Sequence, residues 1–239
     1  MIGPLLRTLF SRFLLLLLIL VGALPMLIFL MLPKHWLYDS KLFFWFGDIF
    51  CKAVVKVTLL PITFIGKENI PHEPAIFAAN HQSSLDIPLV GSLLNGQPHV
   101  WLAKKELMDS PILRFVLPRV AVLIDMSTPI RGMRSLLQAI KWINGSHRHA
   151  IIFPEGGRYT DGKIHDFYSG FVILAKKTGR PVVPVCIIGA DKVYPPDTFL
   201  INYHQINVVV GKPFRMQEGE SDEAFKNRVR QWFVEMSEE

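Results

Sequence analysis

Cysteine is nearly absent from this chain, with Cys51 and Cys186 the two in 239 residues. They stand far apart in apolar surroundings, so neither a disulfide framework nor a zinc-finger spacing is present, and a reducing compartment fits. A basic heptad region and an aromatic-rich RNA signature are missing too. The formal charge of +6 therefore points to anionic lipid headgroups rather than to nucleic acid. There is no internal repeat, no low-complexity linker and no Gly-x-Ser-x-Gly elbow of the kind serine hydrolases use. No small-residue cleavage site interrupts the first apolar run before Lys34, so that run is read as retained rather than as a removable signal peptide.

What the sequence has in excess is hydrophobicity, at 50% of residues, concentrated near the N-terminus. Residues 13–32 are uncharged and almost wholly apolar, about the length needed to cross a bilayer core. Arg7 and Arg12 precede the run, and Gly22 and Pro25 inside it predict a kink. Residues 42–60 are apolar and aromatic but carry Asp48, Lys52 and Lys56 at a spacing of four. That spacing makes one charged stripe, with Asp48 and Lys52 able to pair. A helix of this kind lies in the interface more readily than it spans, and a buried helix of a soluble domain has the same pattern. Basic residues flank the first run on both sides, so they do not set its orientation. A kinked hairpin dipping into one leaflet and a single true span both fit. The division is a membrane-associated hairpin over 1–60 and a globular domain over 61–239.

In the second part, short apolar or β-branched runs recur at 62–65, 75–79, 99–103, 120–124, 150–153, 182–187 and 206–210. Helical patterns separate several of them. Met133, Leu136, Leu137, Ile140 and Ile143 share one face, with Gly145 as a stop, and residues 167–177 form another helix ending at Gly179. Phe225, Val229, Trp232, Phe233 and Met236 mark a last helix with Ser221 as its cap. This alternation predicts an α/β fold: a largely parallel mixed sheet of about seven strands with helices on both faces, preceded by the hydrophobic helical hairpin. Ligands in such sheets bind beyond the carboxyl ends of the strands.

Reactive side chains follow these strands directly. After 75–79 comes Asn80-His81-Gln82-Ser83-Ser84-Leu85-Asp86. Residues five apart diverge on a helix, so His81 and Asp86 meet only if the chain turns between them, with Ser83 or Ser84 as a helix cap and Pro88 tolerated near the start. A carboxylate on one ring nitrogen fixes the tautomer and supports the imidazolium formed when the other accepts a proton, which makes a general base. The pair by itself equally fits a structural histidine beside a capping aspartate. After 150–153 comes Pro154-Glu155-Gly156-Gly157-Arg158, where two glycines permit close backbone approach and Arg158 offers a bidentate grip on phosphate. Val183-Pro184-Val185 puts a proline into a strand, which marks an edge or an irregular site. Lys104 and Lys105 follow 99–103 as solvated cations or phosphate contacts.

In order and spacing these pieces resemble the glycerophospholipid acyltransferase family, in particular the bacterial 1-acyl-glycerol-3-phosphate acyltransferases, over about residues 60 to 215. Asn80, His81 and Asp86 match Asn-His-x4-Asp. Phe153 through Arg158 match Phe-Pro-Glu-Gly-x-Arg, with Gly157 in place of the usual Thr, and Val183–Val185 match Val-Pro-Val. The resemblance implies that His81 is the base and Asp86 its orienting partner. It implies that Glu155, Gly156 and Arg158, helped by Lys104, bind the acyl acceptor, while Asn80 and Pro184 serve structure on the acyl-donor side. An acceptor hydroxyl, the free sn-2 position of 1-acyl-sn-glycerol-3-phosphate, then attacks the thioester of acyl-CoA or acyl carrier protein, giving phosphatidic acid. The expected partners are membrane lipids and the acyl donor, with no metal and no cofactor. The expected place is the inner membrane, with the catalytic domain on the cytoplasmic side.

Two further positions depart from the family. Its second motif ends Ile-Asp-Arg where this chain has Ile124-Asp125-Met126, and neither Arg119 nor Arg131 sits at the matching place. A Phe-Lys-x-Gly run is replaced by Phe167-Tyr168-Ser169-Gly170. Both changes remove a cation near the acceptor; the one at Met126 favours a rival reading, a lysophospholipid acyltransferase for another headgroup, while Arg158 and the lysine pair favour phosphate recognition. A hydrolase using Ser83 or Ser84 lacks the elbow. A non-catalytic lipid-binding protein leaves His81, Asp86 and Glu155 unexplained. A metal site built from His81, Asp86, His147 and His149 competes with a plain reading of the last two as surface histidines.

Overall fold

The computed structural model describes residues 3–144, 146–193 and 198–238; Gly145, the expected helix stop, lies outside the described residues. The apolar runs become strands β1 (Ile62–Ile65), β2 (Ile76–Ala79), β3 (His99–Lys104), β4 (Ala121–Ile124), β5 (His149–Ile152), β6 (Val182–Ile188) and β7 (Ile206–Val210). They form one sheet in the order β1-β7-β6-β2-β5-β3-β4. Every pairing is parallel except β6 with β7, so the sheet is mixed, as expected.

The central strand β2 is buried on both faces because helices cover both sides of the sheet. Ile76 and Ala78 pack with residues of α6 (Pro129–Ile143), α7 (Gly170–Thr178) and α9 (Asp222–Glu238). Phe77 and Ala79 face α4 (Asp86–Leu93), where Leu89, Val90 and Leu93 complete the opposite core. The helical faces read from periodicity are largely the buried ones. Phe225, Val229 and Phe233 are fully buried, and the Ser221 hydroxyl accepts the Ala224 N–H at 3.1 Å as the cap. Leu136, Ile140 and Ile143 are buried, but Met133 and Leu137 are exposed, because α6 turns them to one edge of the core stripe. Helix α7 begins three residues later than its pattern suggested and ends at Gly179 in the left-handed conformation.

Pro184 sits in an interior strand rather than at an edge. Its carbonyl accepts the Gly211 N–H at 2.9 Å, so its nitrogen faces β7 as well. There the antiparallel ladder stops at Val185 with Val210 and resumes as a single bridge from Val182 to Phe214. Gly211 stands opposite it, so the proline leaves out the second bond of that pair, at the place where the ladder with β7 breaks off.

At the N-terminus, α1 (Pro4–Met31) is one helix of 28 residues running through Pro25, with mean hydropathy 3.0 in its most apolar window. A short helix α2 (Lys34–Asp39) leads to α3 (Lys41–Val57), which packs against both α1 and α4. Asp48 pairs with Lys52 at 2.8 Å, as their spacing predicts, and Lys52 also reaches the Asn95 side chain at 3.0 Å. The stripe on α3 therefore bonds partly to the globular domain. A fifth helix, α5 (Pro111–Val120), and the short α8 (Ala190–Val193) complete the order.

Candidate active site

Because β2, β5 and β3 are adjacent and parallel, the chain segments that leave their carboxyl ends emerge side by side. These are the segments carrying His81, Phe153 through Arg158, and Lys104. The connection after β2 runs to β3 and the one after β5 runs to β6 on the other side, which is where an open α/β sheet leaves a crevice.

Asn80 ends β2 by imitating a peptide. Its amide donates to the Ile187 carbonyl at 2.8 Å and accepts the Ile187 N–H at 2.7 Å, extending the pairing of β2 with β6 by a side chain. The chain then turns, as the five-residue spacing requires. Asp86 Oδ2 accepts from His81 Nδ1 at 2.8 Å, from the Gln82 N–H at 2.6 Å and from the Ser83 N–H at 2.7 Å. Ser83 and Ser84 do not cap α4; the Ser83 hydroxyl accepts the Leu85 N–H at 3.3 Å inside the turn. Asp86 is fully buried, and burial pushes its carboxyl above the usual range while the bonds from His81, Ser83 and Gln82 pull the other way. With Nδ1–H given to the carboxylate, Nε2 is left as the proton acceptor. The imidazole stacks on Phe153, ring centroids 4.1 Å apart and 19° from parallel, and Phe153 stacks in turn on Trp101.

Glu155 joins the second segment to the first. One carboxylate oxygen accepts the His81 backbone N–H at 2.8 Å and the other accepts the His165 N–H at 3.1 Å. The Tyr159 N–H donates to the His81 carbonyl at 3.0 Å, so His81 is held by its backbone on both sides. Glu155 is 2% exposed, lines neither cavity described below, and burial raises its carboxyl pKa. The structure thus places it beneath the site as a tie between two loops. Glu155→Gln would turn an amide N–H2 toward one of those backbone donors. The expected cost is about 2–3 kcal/mol of stability, read as a lower unfolding midpoint.

Above the tie opens an apolar cavity of about 450 Å³ lined by His81, Trp101, Leu117, Phe153, Gly156 and Arg158 among others, with Lys104 at its wall. Arg158 is oriented by a 2.7 Å bond from its Nη1 to the Ser84 hydroxyl. Gly156 has φ +65°, and a Cβ there would lie 2.7 Å from the Tyr168 ring and 3.4 Å from the Lys104 side chain, so only glycine fits. A second apolar cavity of about 260 Å³ shares Lys104, Phe153 and Gly156 and is lined further by Met126, Met133 and Tyr168. Met126 and Tyr168, which stand where the family has cations, therefore line one cavity. Lys105 is committed to Asp125 at 3.0 Å, and Arg131 Nη1 reaches the Ser127 hydroxyl at 3.4 Å. Arg119 donates to the Leu32 carbonyl at the end of α1. Among the described residues, Lys104 and Arg158 are the cations that line the His81 cavity.

The sheet thus brings together His81, Asp86, Lys104, Gly156 and Arg158, with Asn80 and Glu155 as supports, while Pro184 lies within β6. His149 corrects the surface reading: it is buried, its Nδ1 accepts the Ala75 N–H at 3.1 Å and its Nε2 bonds Gln97, and burial pushes its imidazole down to about 4. No cluster able to hold a metal occurs among the described residues. Sequence reasoning missed Phe153 as the ring behind His81, Ser84 as the partner of Arg158, and the contact of Tyr168 with Gly156. An aromatic residue immediately before a Pro-Glu-Gly turn was the available signal for the first; nothing local signals the other two.

A family model described as Acyltransferase matches residues 61–188. The chain is 31% identical over 164 residues to the 1-acyl-sn-glycerol-3-phosphate acyltransferase of Limnanthes douglasii, covering 68% of this chain and 58% of the relative. To the chloroplastic enzyme of that name from Brassica napus it is 29% identical, covering 62% of this chain and 43% of the relative. The chain spans about half the length of the first curated relatives it matches. The crystal structure of the 1-acyl-sn-glycerophosphate acyltransferase PlsC from Thermotoga maritima superposes with a TM-score of 0.75 at 25% identity, covering 98% of this chain and 95% of that one.

Proposed function

Since the chain belongs to the Acyltransferase family, we propose that it transfers a fatty acyl group from acyl-CoA or acyl carrier protein to the free sn-2 hydroxyl of 1-acyl-sn-glycerol-3-phosphate, yielding phosphatidic acid. The observation that carries this reading is the His81–Asp86 pair at 2.8 Å on the wall of an apolar cavity that also presents Lys104 and Arg158. His81 Nε2 takes the hydroxyl proton as the oxygen attacks the thioester carbonyl. The carbon–sulfur bond then breaks, and the proton passes to the leaving thiolate, so no acyl group rests on the protein. Asp86 stabilises the intervening imidazolium, and Lys104 and Arg158 hold the acceptor phosphate.

The same reading includes a location. Both ends of α1 bond to the α/β domain: Arg7 Nη2 to the Ile201 carbonyl at 2.6 Å, and Arg119 Nη1 to the Leu32 carbonyl at 3.0 Å. A helix tied at both ends to one domain favours lying in one leaflet over crossing the bilayer. Thioester donors place that domain on the cytoplasmic side.

The test is to supply the detergent-purified protein with acyl-CoA or acyl carrier protein and a panel of lysophospholipids, with products read by mass spectrometry. Phosphatidic acid as the main product is the expected result. Preference for another lysolipid would keep the chemistry and overturn the acceptor; the uncharged Met126 and Tyr168 are the residues that would favour it.

A further inference from the structure

Helix α1 is apolar almost throughout, yet its polar residues near the start are not exposed. Thr8 and Ser11 are buried, at 0% and 3%. What covers that side is the loop entering β7. The Thr8 hydroxyl accepts the Ile201 N–H at 3.0 Å, Arg7 donates to the Ile201 carbonyl, and Arg12 donates to the Phe199 carbonyl at 2.7 Å. The Arg7 guanidinium lies over the Tyr203 ring and that of Arg12 over the Phe199 ring, 5.1 and 4.5 Å from the centroids. On its other side the loop is anchored by the Asn202 N–H to the Val193 carbonyl and by the Asn202 side chain to Lys192.

The loop is therefore fixed, with Ile201 turned inward while Phe199, Leu200 and Tyr203 stay exposed. Helix α1 exposes Leu5, Leu6, Leu9, Phe10 and Phe13 as well, so helix and loop both present apolar side chains outward. Irregular backbone normally cannot enter lipid, because its N–H and C=O groups would go unpaired. Here the Phe199 carbonyl, both polar groups of Ile201 and the Asn202 N–H are already bonded. Aromatic rings capped by guanidinium groups suit the headgroup level of an anionic leaflet.

We propose that residues 199–203 form a second membrane contact, entering the headgroup–acyl boundary of an anionic leaflet alongside α1; this rests on the membrane placement of α1 given above. The loop and α1 then dock as one unit, and the loop supplies the bonds that Arg7, Thr8 and Arg12 make away from α1.

The test uses the full chain carrying a nitroxide at Phe199→Cys or, separately, at Val21→Cys on the exposed middle of α1, with the unsubstituted protein as the blank for Cys51 and Cys186. Collisional access to oxygen and to a water-soluble nickel chelate is measured with and without vesicles of phosphatidylcholine and phosphatidylglycerol. Both labels should move from nickel access to oxygen access on the vesicles, and Phe199→Ser with Tyr203→Ser should weaken vesicle binding about tenfold. If the label at 199 keeps its nickel access while the one at 21 loses it, the loop only clasps the helix and the proposal is overturned. If both keep it, the membrane placement of α1 fails first. Shielding of residue 199 without vesicles, strengthening with protein concentration, would mean that a second copy covers the loop and would also overturn the proposal.

Discussion

His81→Ala is expected to lower the rate of acyl transfer by about 10²–10⁴-fold, the range a positioned general base contributes, while the protein stays folded. The structure makes this a clean deletion: the ring stacks on Phe153 and meets Asp86, but the His81 backbone is held independently by Glu155 and Tyr159. The loop should keep its course when the imidazole is removed. Asp86→Asn separates charge from geometry. Oδ2 is pinned by the Gln82 and Ser83 N–H groups as well as by His81, so an asparagine carbonyl would occupy that place and keep the ring oriented. Its amide nitrogen would fall where Oδ1 has no partner. A loss of about 10²-fold or more in turnover, with the fold preserved by circular dichroism, is the expected result. Near-wild-type turnover in either variant would remove His81 from the chemistry.

Lys104→Ala and Arg158→Ala should each raise KM for the phosphate-bearing acceptor by about 10–100-fold, the loss of one charge-assisted contact of roughly 1.5–3 kcal/mol. The KM for the acyl donor should change little. Arg158→Lys should rescue only in part, because an ammonium lacks the planar fork and would have to keep the tie to Ser84 as well. Steady-state kinetics with each substrate varied in turn checks this. Equal loss on the donor side would place the two cations on the wrong substrate. The comparison matters because Met126 and Tyr168 bring no charge to the neighbouring cavity, so the proposed phosphate recognition rests on Lys104 and Arg158.

Much of the fold was legible because it follows from local chemistry. Runs such as Ile206–Val210 are strands through their β-branched side chains and period of two. Helix α9 carries its apolar stripe in its own seventeen residues, and its cap Ser221 immediately precedes them. The turn between His81 and Asp86 was forced by a spacing no helix can close. Helix α5 was not legible: Pro111 and Pro118 obscure its pattern, and none of its residues is fully buried.

By itself, then, the sequence determined the alternation of strands and helices, the reactive residues that follow three of the strands, and the apolar N-terminal helix. Each of these rests on neighbours a few residues apart. Tertiary structure alone decided that Glu155 turns inward to hold the backbone of His81, 74 residues away, and that Pro184 sits in an interior strand at the point where its ladder with β7 breaks off. It also decided that Arg7, Thr8 and Arg12 find hydrogen-bond partners in a loop nearly two hundred residues downstream. The physical reason is the order of strands in the sheet and the packing of α1 on the domain. Together they place groups from distant parts of the chain within hydrogen-bond reach, and a buried polar group is stable only where such a partner arrives.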